Sequence, residues 1–353
     1  MELMEILKVS AERSASDIFI VSGAPLSIKA FGKLIRLEEQ PLTAGDTCCL
    51  VCGILGMAGM TQYNNECMPE RELDFSVSVP GMGRFRANIY KQRGTYAAVL
   101  RYVPFELPDA AAIGVPEQVM ALSECKSGIV LVTGAASNGK STTLSCIINK
   151  INSERFGHII TIEDPIEFLH KHNKCIVSQR EINIDTESYL DALRAALRQS
   201  PDVILLGEMR DYETISVAMT AAETGQLVLS TLHTLGAAST IDRIIDVFPM
   251  NQQHQIRIQL SMVLNAVVSQ QLLPTKDGRL VPAFEIMTMN SAIRTLIREE
   301  KTHQIDTVIQ SAPGMQTMDN CIMKLYRDGI ITAQTAEEHA YNPEIMRKRL
   351  AMI

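Results

Sequence analysis

No stretch of the 353-residue chain approaches the roughly 20 consecutive apolar residues that cross a bilayer. The best candidate, Cys48 to Met60, is short and broken by Gly53, Gly56 and Gly59, so no transmembrane helix is expected. The opening MELMEILKVS carries acidic residues where a secretory signal has basic ones, and no small-residue cleavage site follows. A cytoplasmic location is therefore expected. Excess positive charge is also lacking. Lys and Arg total 33 against 40 Asp and Glu, a net −7, so no global field draws the chain to nucleic acid or acidic lipid. Eight cysteines at irregular spacing make no disulfide framework. Cys48, Cys49 and Cys52 form their one cluster, and no second Cys or His pair follows at finger-like spacing to complete four metal ligands. Repeats and low-complexity tracts are missing. With 46% hydrophobic and 21% charged residues, the composition excludes disordered and fibrous classes. At about 150 residues per domain, the length suggests two domains.

Patterning divides the chain. Residues 1–103 read as an α/β module: a helix over Leu3 to Ala11, strands around Asp17 to Val21, Leu26 to Ala30 and Lys33 to Arg36, then a helix over Ala44 to Met57. Strands return at Leu73 to Val79, Gly83 to Lys91 and Thr95 to Val103, the last two joined by a turn at Arg93-Gly94. Pro104, Pro108, Gly114 and Pro116 mark residues 104–116 as a linker. Beyond it, apolar runs at Gly128 to Thr133, His158 to Ile162, Val203 to Gly207 and Leu227 to Thr231 alternate with helical patterns at about Lys140 to Asn152, Thr186 to Gln199 and Tyr212 to Thr224. That alternation implies an α/β fold with a mostly parallel sheet over 117–353. From about 251 onward the chain reads as mostly helical.

The chemistry gathers where these strands end. Gly134-Ala135-Ala136-Ser137-Asn138-Gly139-Lys140-Ser141 fits G-x-x-x-x-G-K-[ST], follows an apolar strand and opens a helix that continues through Thr142. Such a P-loop binds the phosphates of ATP through backbone N–H groups. Its lysine reaches the β and γ phosphates and its serine hydroxyl joins a Mg²⁺ shell. Glu208 follows the Val203 strand, at the carboxyl end where ligands bind in parallel sheets, and a carboxylate there can orient and deprotonate an attacking water. Gly207 occupies the place of the usual Walker B aspartate. Glu163, Asp164 and Glu167 end the preceding strand, and one or two of them could face the metal-bound water. His233 ends the Leu227 strand, where an imidazole could hydrogen-bond a γ-phosphate.

These segments resemble the type IV pilus retraction ATPases within the secretion-ATPase superfamily. The most specific are IITIEDPIEF (159–168), ALRAALRQSPDVILLGEMRDYETI (192–215), TAAETGQLVLSTLHT (220–234) and IDRIIDVFP (241–249). The resemblance implies a PAS-like N-terminal domain, a RecA-like ATPase domain and a homohexamer. It implies ATP hydrolysis coupled to pilus disassembly through an inner-membrane platform protein, at the cytoplasmic face of that membrane. Glu163 would belong to the family's Asp box, Glu208 to its Walker B and His233 to its His box. Arg86 and Arg101 match a pair that the superfamily places near the phosphates, with Arg93 between their strands. Arg194 and Arg198 match arginines that precede Walker B. Within AIRTLIRE (292–299), Arg294, Leu296 and Arg298 match a segment associated with retraction.

The chain departs from the family pattern in places. Ser137 replaces a glycine that eases backbone approach, and Asn138 is a residue type tolerant of left-handed dihedrals. Gln226 stands where the His box has its first histidine, and Phe19 where histidine is common. Pilus assembly and type II secretion ATPases are the competing reading, but the longer N-terminal extension and paired C-x-x-C module that mark them are missing. The P-loop and Gln226 departures also leave open a weakly hydrolysing regulatory subunit.

Overall fold

The computed structural model describes residues 1–13, 15–30, 33–64, 68–104 and 107–352. The chain divides into two units, 1–106 and 107–353.

In the first unit, helices α1 (Leu3–Glu12) and α2 (Ala44–Met57) accompany strands β1 (Ala15–Ile20), β2 (Pro25–Ala30), β3 (Lys33–Pro41), β4 (Leu73–Val79), β5 (Gly83–Gln92) and β6 (Thr95–Pro104). Among the described residues the six strands form one antiparallel sheet in the order β3-β2-β1-β6-β5-β4. Side chains alternate across a strand, so one face buries Ile18, Ile20, Phe85, Ala87, Ile89, Ala98 and Leu100 in a core shared with Ile6 and Leu7 of α1 and Val51 and Ile54 of α2. Thr43 starts α2 with a reciprocal cap, accepting from the Asp46 amide while Asp46 accepts from its own. The tight β5–β6 turn needs positive φ at both central residues, and Arg93 (φ 47°) and Gly94 (φ 79°) supply it.

The second unit begins with the short helix α3 (Glu117–Met120) and is organised by strands β7 (Gly128–Thr133), β8 (Gly157–Glu163), β9 (Cys175–Glu181), β10 (Val203–Leu206), β11 (Leu227–Leu232), β12 (Leu264–Pro274) and β13 (Leu280–Thr288). Among the described residues they form one sheet in the order β13-β12-β7-β11-β10-β8-β9, parallel except for the β12–β13 hairpin. Strands β7, β10 and β11 are buried along their whole length, because helices cover both faces. One face packs against α4 (Lys140–Glu154). The other carries α5 (Tyr189–Ala196), α6 (Tyr212–Glu223), α7 (Ala237–Asp246), α8 (Met250–Val263), α9 (Ser291–Arg298) and α10 (Ile305–Ser311). Three more helices, α11 (Met318–Arg327), α12 (Ala333–His339) and α13 (Pro343–Leu350), share a separate core with Leu273 and Ala283 of the hairpin.

The structure refines or corrects three expectations. Residues from 251 onward are mostly helical, but β12 and β13 also lie within them, and β12 pairs with the P-loop strand β7. No glycine or proline separates α8 from β12, and the run of Leu264 to Val268 suits a buried helix as well as a buried strand. Strand β9, at the sheet edge, was also not expected. Helix α5 is shorter than Thr186 to Gln199, because Ser188 caps its start and Ser200 turns left-handed (φ 52°) ahead of Pro201. Arg198 therefore lies beyond the helix rather than sharing a face with Arg194.

Candidate active site

The loop between β7 and α4 is pressed against β12. At Gly134 (φ 140°) a Cβ would lie 2.3 Å from the Gln270 carbonyl oxygen, so no other residue fits there without moving the strand. The buried Gln270 side chain accepts from Thr143 Oγ1 at 2.7 Å, and a Cβ at Gly139 would meet its Nε2 at 2.9 Å. Asn138 Oδ1 accepts from the Leu272 amide at 3.1 Å. The left-handed non-glycine residue of the loop is Ser137 (φ 64°) and not Asn138, which serves instead as a tie to β12. Lys140 is buried, its Nζ donating to the carbonyls of Gly134 (2.8 Å) and Ala135 (2.9 Å). Burial lowers its pKa, against the opposing pull of Glu167 and Glu208. Ala136, Ser141 and Thr142 complete the loop and the first turn of α4. Beside that turn a cavity of about 440 Å³ is lined by Ile113, Gly139, Thr142, Leu272, Val281 and Pro282.

The carboxylates meet at the same sheet edge. Glu208 is largely buried: Oε1 pairs with Arg210, while Oε2 is buried without a hydrogen-bond partner, 3.5 Å from His233 Nε2. Glu163 Oε1 accepts from Thr161 Oγ1 (2.6 Å) and Gln179 Nε2 (3.2 Å), and burial raises its pKa to about 7. Gly207 has a physical reason. A Cβ there would lie 2.7 Å from the Tyr189 hydroxyl, so the phenol occupies the space of a Walker B side chain. Burial raises the Tyr189 pKa, reinforced by Asp164, Glu208 and Glu163, which puts a neutral phenol among three carboxylates. Tyr189 was missed in the sequence because a tyrosine at a helix start has no signature of its own. Thr231 Oγ1 donates to the Gly207 carbonyl at 2.6 Å and locks the ends of β10 and β11 together.

Other expected residues lie elsewhere. Arg86 donates twice to Asp74, Nε to Oδ1 at 3.0 Å and Nη2 to Oδ2 at 2.6 Å, and Arg101 Nε donates to Asp17 Oδ1 at 3.2 Å. Arg86 and Arg101 are directly opposed across β5 and β6, and Asp17 opposes Arg101 across β1 and β6. The four form an acid–base row across the sheet, on the face away from the core. Arg93, Arg194 and Arg198 are exposed. Gln226 precedes β11 at its amino end, seven residues before His233, or about 23 Å at 3.3 Å per residue. Its departure from the family pattern leaves the site's geometry untouched. In α9, Arg294 donates to the carbonyls of Ser261 and Met262 and so closes the end of α8. Leu296 is partly buried against the core and borders a groove of about 610 Å³ with Ala292, Thr295, Thr307 and Val308. Arg298 stays exposed.

The Type II/IV secretion system protein family matches residues 3–280, most of the chain and all of this site. The chain belongs to that family. Among members of the secretion family, the type IV pilus retraction ATPase PilT of Pseudomonas aeruginosa is 43% identical over 98% of this chain and 99% of its own length. A twitching motility protein of Neisseria gonorrhoeae is 42% identical over 98% of this chain and 92% of its own. A crystal structure of the pilus retraction motor PilT with bound ADP superposes with a TM-score of 0.90 at 46% identity, covering 99% of each chain. Among the described residues no helix is long and apolar enough to cross a membrane.

Proposed function

We propose that the chain is a motor ATPase that retracts type IV pili. The observation that carries this reading is the near full-length kinship with retraction ATPases, combined with a complete phosphate cradle beside the unpartnered Oε2 of Glu208. The backbone amides of 134–141 and the start of α4 hold the phosphates, and Lys140 exchanges two loop carbonyls for β and γ phosphate oxygens. The Ser141 hydroxyl fits a Mg²⁺ ion held mainly by the phosphates, and such an ion supplies charge neutralisation when bound. Glu208 Oε2 takes the proton of the attacking water, His233 hydrogen-bonds the γ-phosphate, and Glu163 with Tyr189 orders the surrounding polar edge. The cavity beside Thr142 receives the base.

The first unit is read as PAS-like (1–103), joined by the 104–116 linker to a RecA-like ATPase domain (117–353). The working form is a homohexamer against an inner-membrane platform protein at the cytoplasmic face, without nucleic acid. Arg86 and Arg101 leave their aspartates to reach a nucleotide bound by the neighbouring subunit, Arg93 in the turn between their strands faces the same interface, and Arg194 and Arg198 face an interface. In α9, Leu296 and Arg298 carry the coupling surface, with Arg294 bracing α8.

Phosphate release by the purified oligomer tests this reading. Lys140→Ala should abolish it, and mixing Lys140→Ala with Arg101→Ala subunits should restore part of it through interfaces left intact. A wild-type oligomer that binds ATP and releases no phosphate would make the chain a regulatory subunit instead.

A further inference from the structure

A buried carboxylate outside the site joins two parts of the second unit. Glu285 lies on β13 opposite Ser269 of β12 and is 3% exposed. Its Oε1 accepts from the Ala237 amide at 2.8 Å, and the Met318 amide lies near enough to favour the charged carboxylate. Ala237 and Met318 are the first residues of α7 and α11, so one carboxylate faces the starts of two helices. Gly236 gives α7 no side-chain cap, leaving Glu285 to fill that role. Residues 233–236 bridge the end of β11 and the start of α7, so fixing the Ala237 amide fixes the far end of the loop that carries His233.

Tyr341, in the turn between α12 and α13, touches the same loop. A Cβ at Gly236 would lie 3.5 Å from its ring, and the Gly236 backbone, Ser269 and Gln271 surround its phenol. Asp319, in the first turn of α11, holds that turn by accepting from the amides of Tyr341 (2.7 Å) and Asn342 (3.2 Å). Burying a carboxylate is costly, and apolar residues of similar volume often serve stability as well. Thr317 already caps α11 at the Asn320 amide, while α7 has no local cap. What the buried carboxylate adds is a contact shared by the two helix starts, so a shift of one disturbs the other.

We propose that Glu285 is a positioning residue that ties the His233 loop to the C-terminal helices α11 to α13, so that a displacement of α11 moves the imidazole relative to Glu208. The proposal rests on the catalytic reading of His233 and Glu208 given above.

Glu285→Gln keeps an acceptor for one helix and turns an N–H toward the other, and two measurements on the full-length oligomer read its effect. In hydrogen–deuterium exchange, amides at 236–240 and 318–321 should lose protection together. In steady-state kinetics, kcat should fall by about tenfold, the scale of one lost bond to a charged acceptor, with ADP affinity unchanged. In a His233→Ala background the same substitution should change kcat by less than about twofold, because the effect runs through that imidazole. Loss of protection at only one helix, or an equal fall in kcat in both backgrounds, would overturn the proposal. If His233→Ala alone turns over like wild type, the catalytic reading of His233 fails, and the exchange result alone decides whether the two helices are tied. Should Glu285→Gln not fold, Tyr341→Phe, which removes the hydroxyl beside Gly236, is read by the same criteria.

Discussion

Two sets of charged side chains stand out in the sequence, and the structure treats them in opposite ways. In the antiparallel sheet of the first unit, Asp17, Arg101, Arg86 and Asp74 lie across neighbouring strands with the two arginines in the middle, and each arginine is paired with an aspartate. At the edge of the parallel sheet, Glu208 keeps a buried oxygen without a partner, Glu163 is pushed toward the neutral form and a buried lysine leans on its own loop's carbonyls. The first arrangement is at rest by itself. The second leaves one carboxylate oxygen without a hydrogen bond and a lysine on neutral carbonyls, and the comparison teaches that incomplete pairing marks the candidate site better than charge does.

The sharpest way to break the contrast is to neutralise the unpartnered group. Glu208→Gln keeps the shape and loses the base, so turnover should fall by about 10² to 10⁴-fold, the range of general-base catalysis, with fluorescent ADP still bound. Comparable phosphate release by variant and wild type would leave the carboxylate without a catalytic part. A smaller effect is expected behind the loop. Gly134→Ala forces a side chain into a positive φ against the Gln270 carbonyl, and about 1–3 kcal/mol of backbone strain should appear as a lower midpoint in urea, together with weaker nucleotide binding.

Smaller again is the pH response. With its folded pKa near 7, above the unfolded 4.5, Glu163 contributes stability that is complete below about pH 4.5 and is lost as pH rises through 7. Glu285 behaves alike: burial raises its pKa to about 7, the Ala237 and Met318 amides lower it, and Asp306 and Asp319 raise it further. Each can tilt unfolding free energy by up to about 1.4 kcal/mol per pH unit across that window. Glu163→Gln should flatten the urea-midpoint profile between pH 5 and 7, and an unchanged profile would mean that the carboxylate titrates normally. The smallest effect belongs to the paired row. Arg86→Ala should cost under about 1 kcal/mol in equilibrium unfolding, because the pair it breaks is partly exposed, at 35% for Arg86 and 43% for Asp74. A loss several times larger would mean that the row holds the first unit together.

Legibility followed locality. The P-loop, the carboxylates after β8 and β10 and the strand leading to His233 were readable because each is a short run whose neighbours in sequence are also its neighbours in space. The hairpin of β12 and β13 was not, since nothing punctuates the passage from α8 and its one outside strand partner, β7, is distant in sequence. With β12 hidden, so were its dependents: Gln270 behind the loop, the tie from Asn138 to Leu272, and Glu285 between two helix starts. Tyr189 and Gly207 show the same limit. Read alone, Gly207 is a missing aspartate; in space it is the hollow that a phenol fills.

Strand β12 also restricts how the chain can vary in length. Gln270 faces α4 and the loop, while Ser269, Gln271 and Leu273 face the opposite side, toward Glu285, His339 and the C-terminal core. A strand shifted by one residue exchanges its faces. One residue inserted or deleted between 264 and 269 would turn Gln270 from the 134–141 loop toward the C-terminal helices and turn Gln271 away from His339 in the same event. The hairpin tip, where Thr275 and Arg279 close a turn through Gly278 (φ 81°), lies outside that constraint. Insertions belong at that tip, and a peptide tag placed there is the one that this half of the molecule should carry without losing either function of the strand.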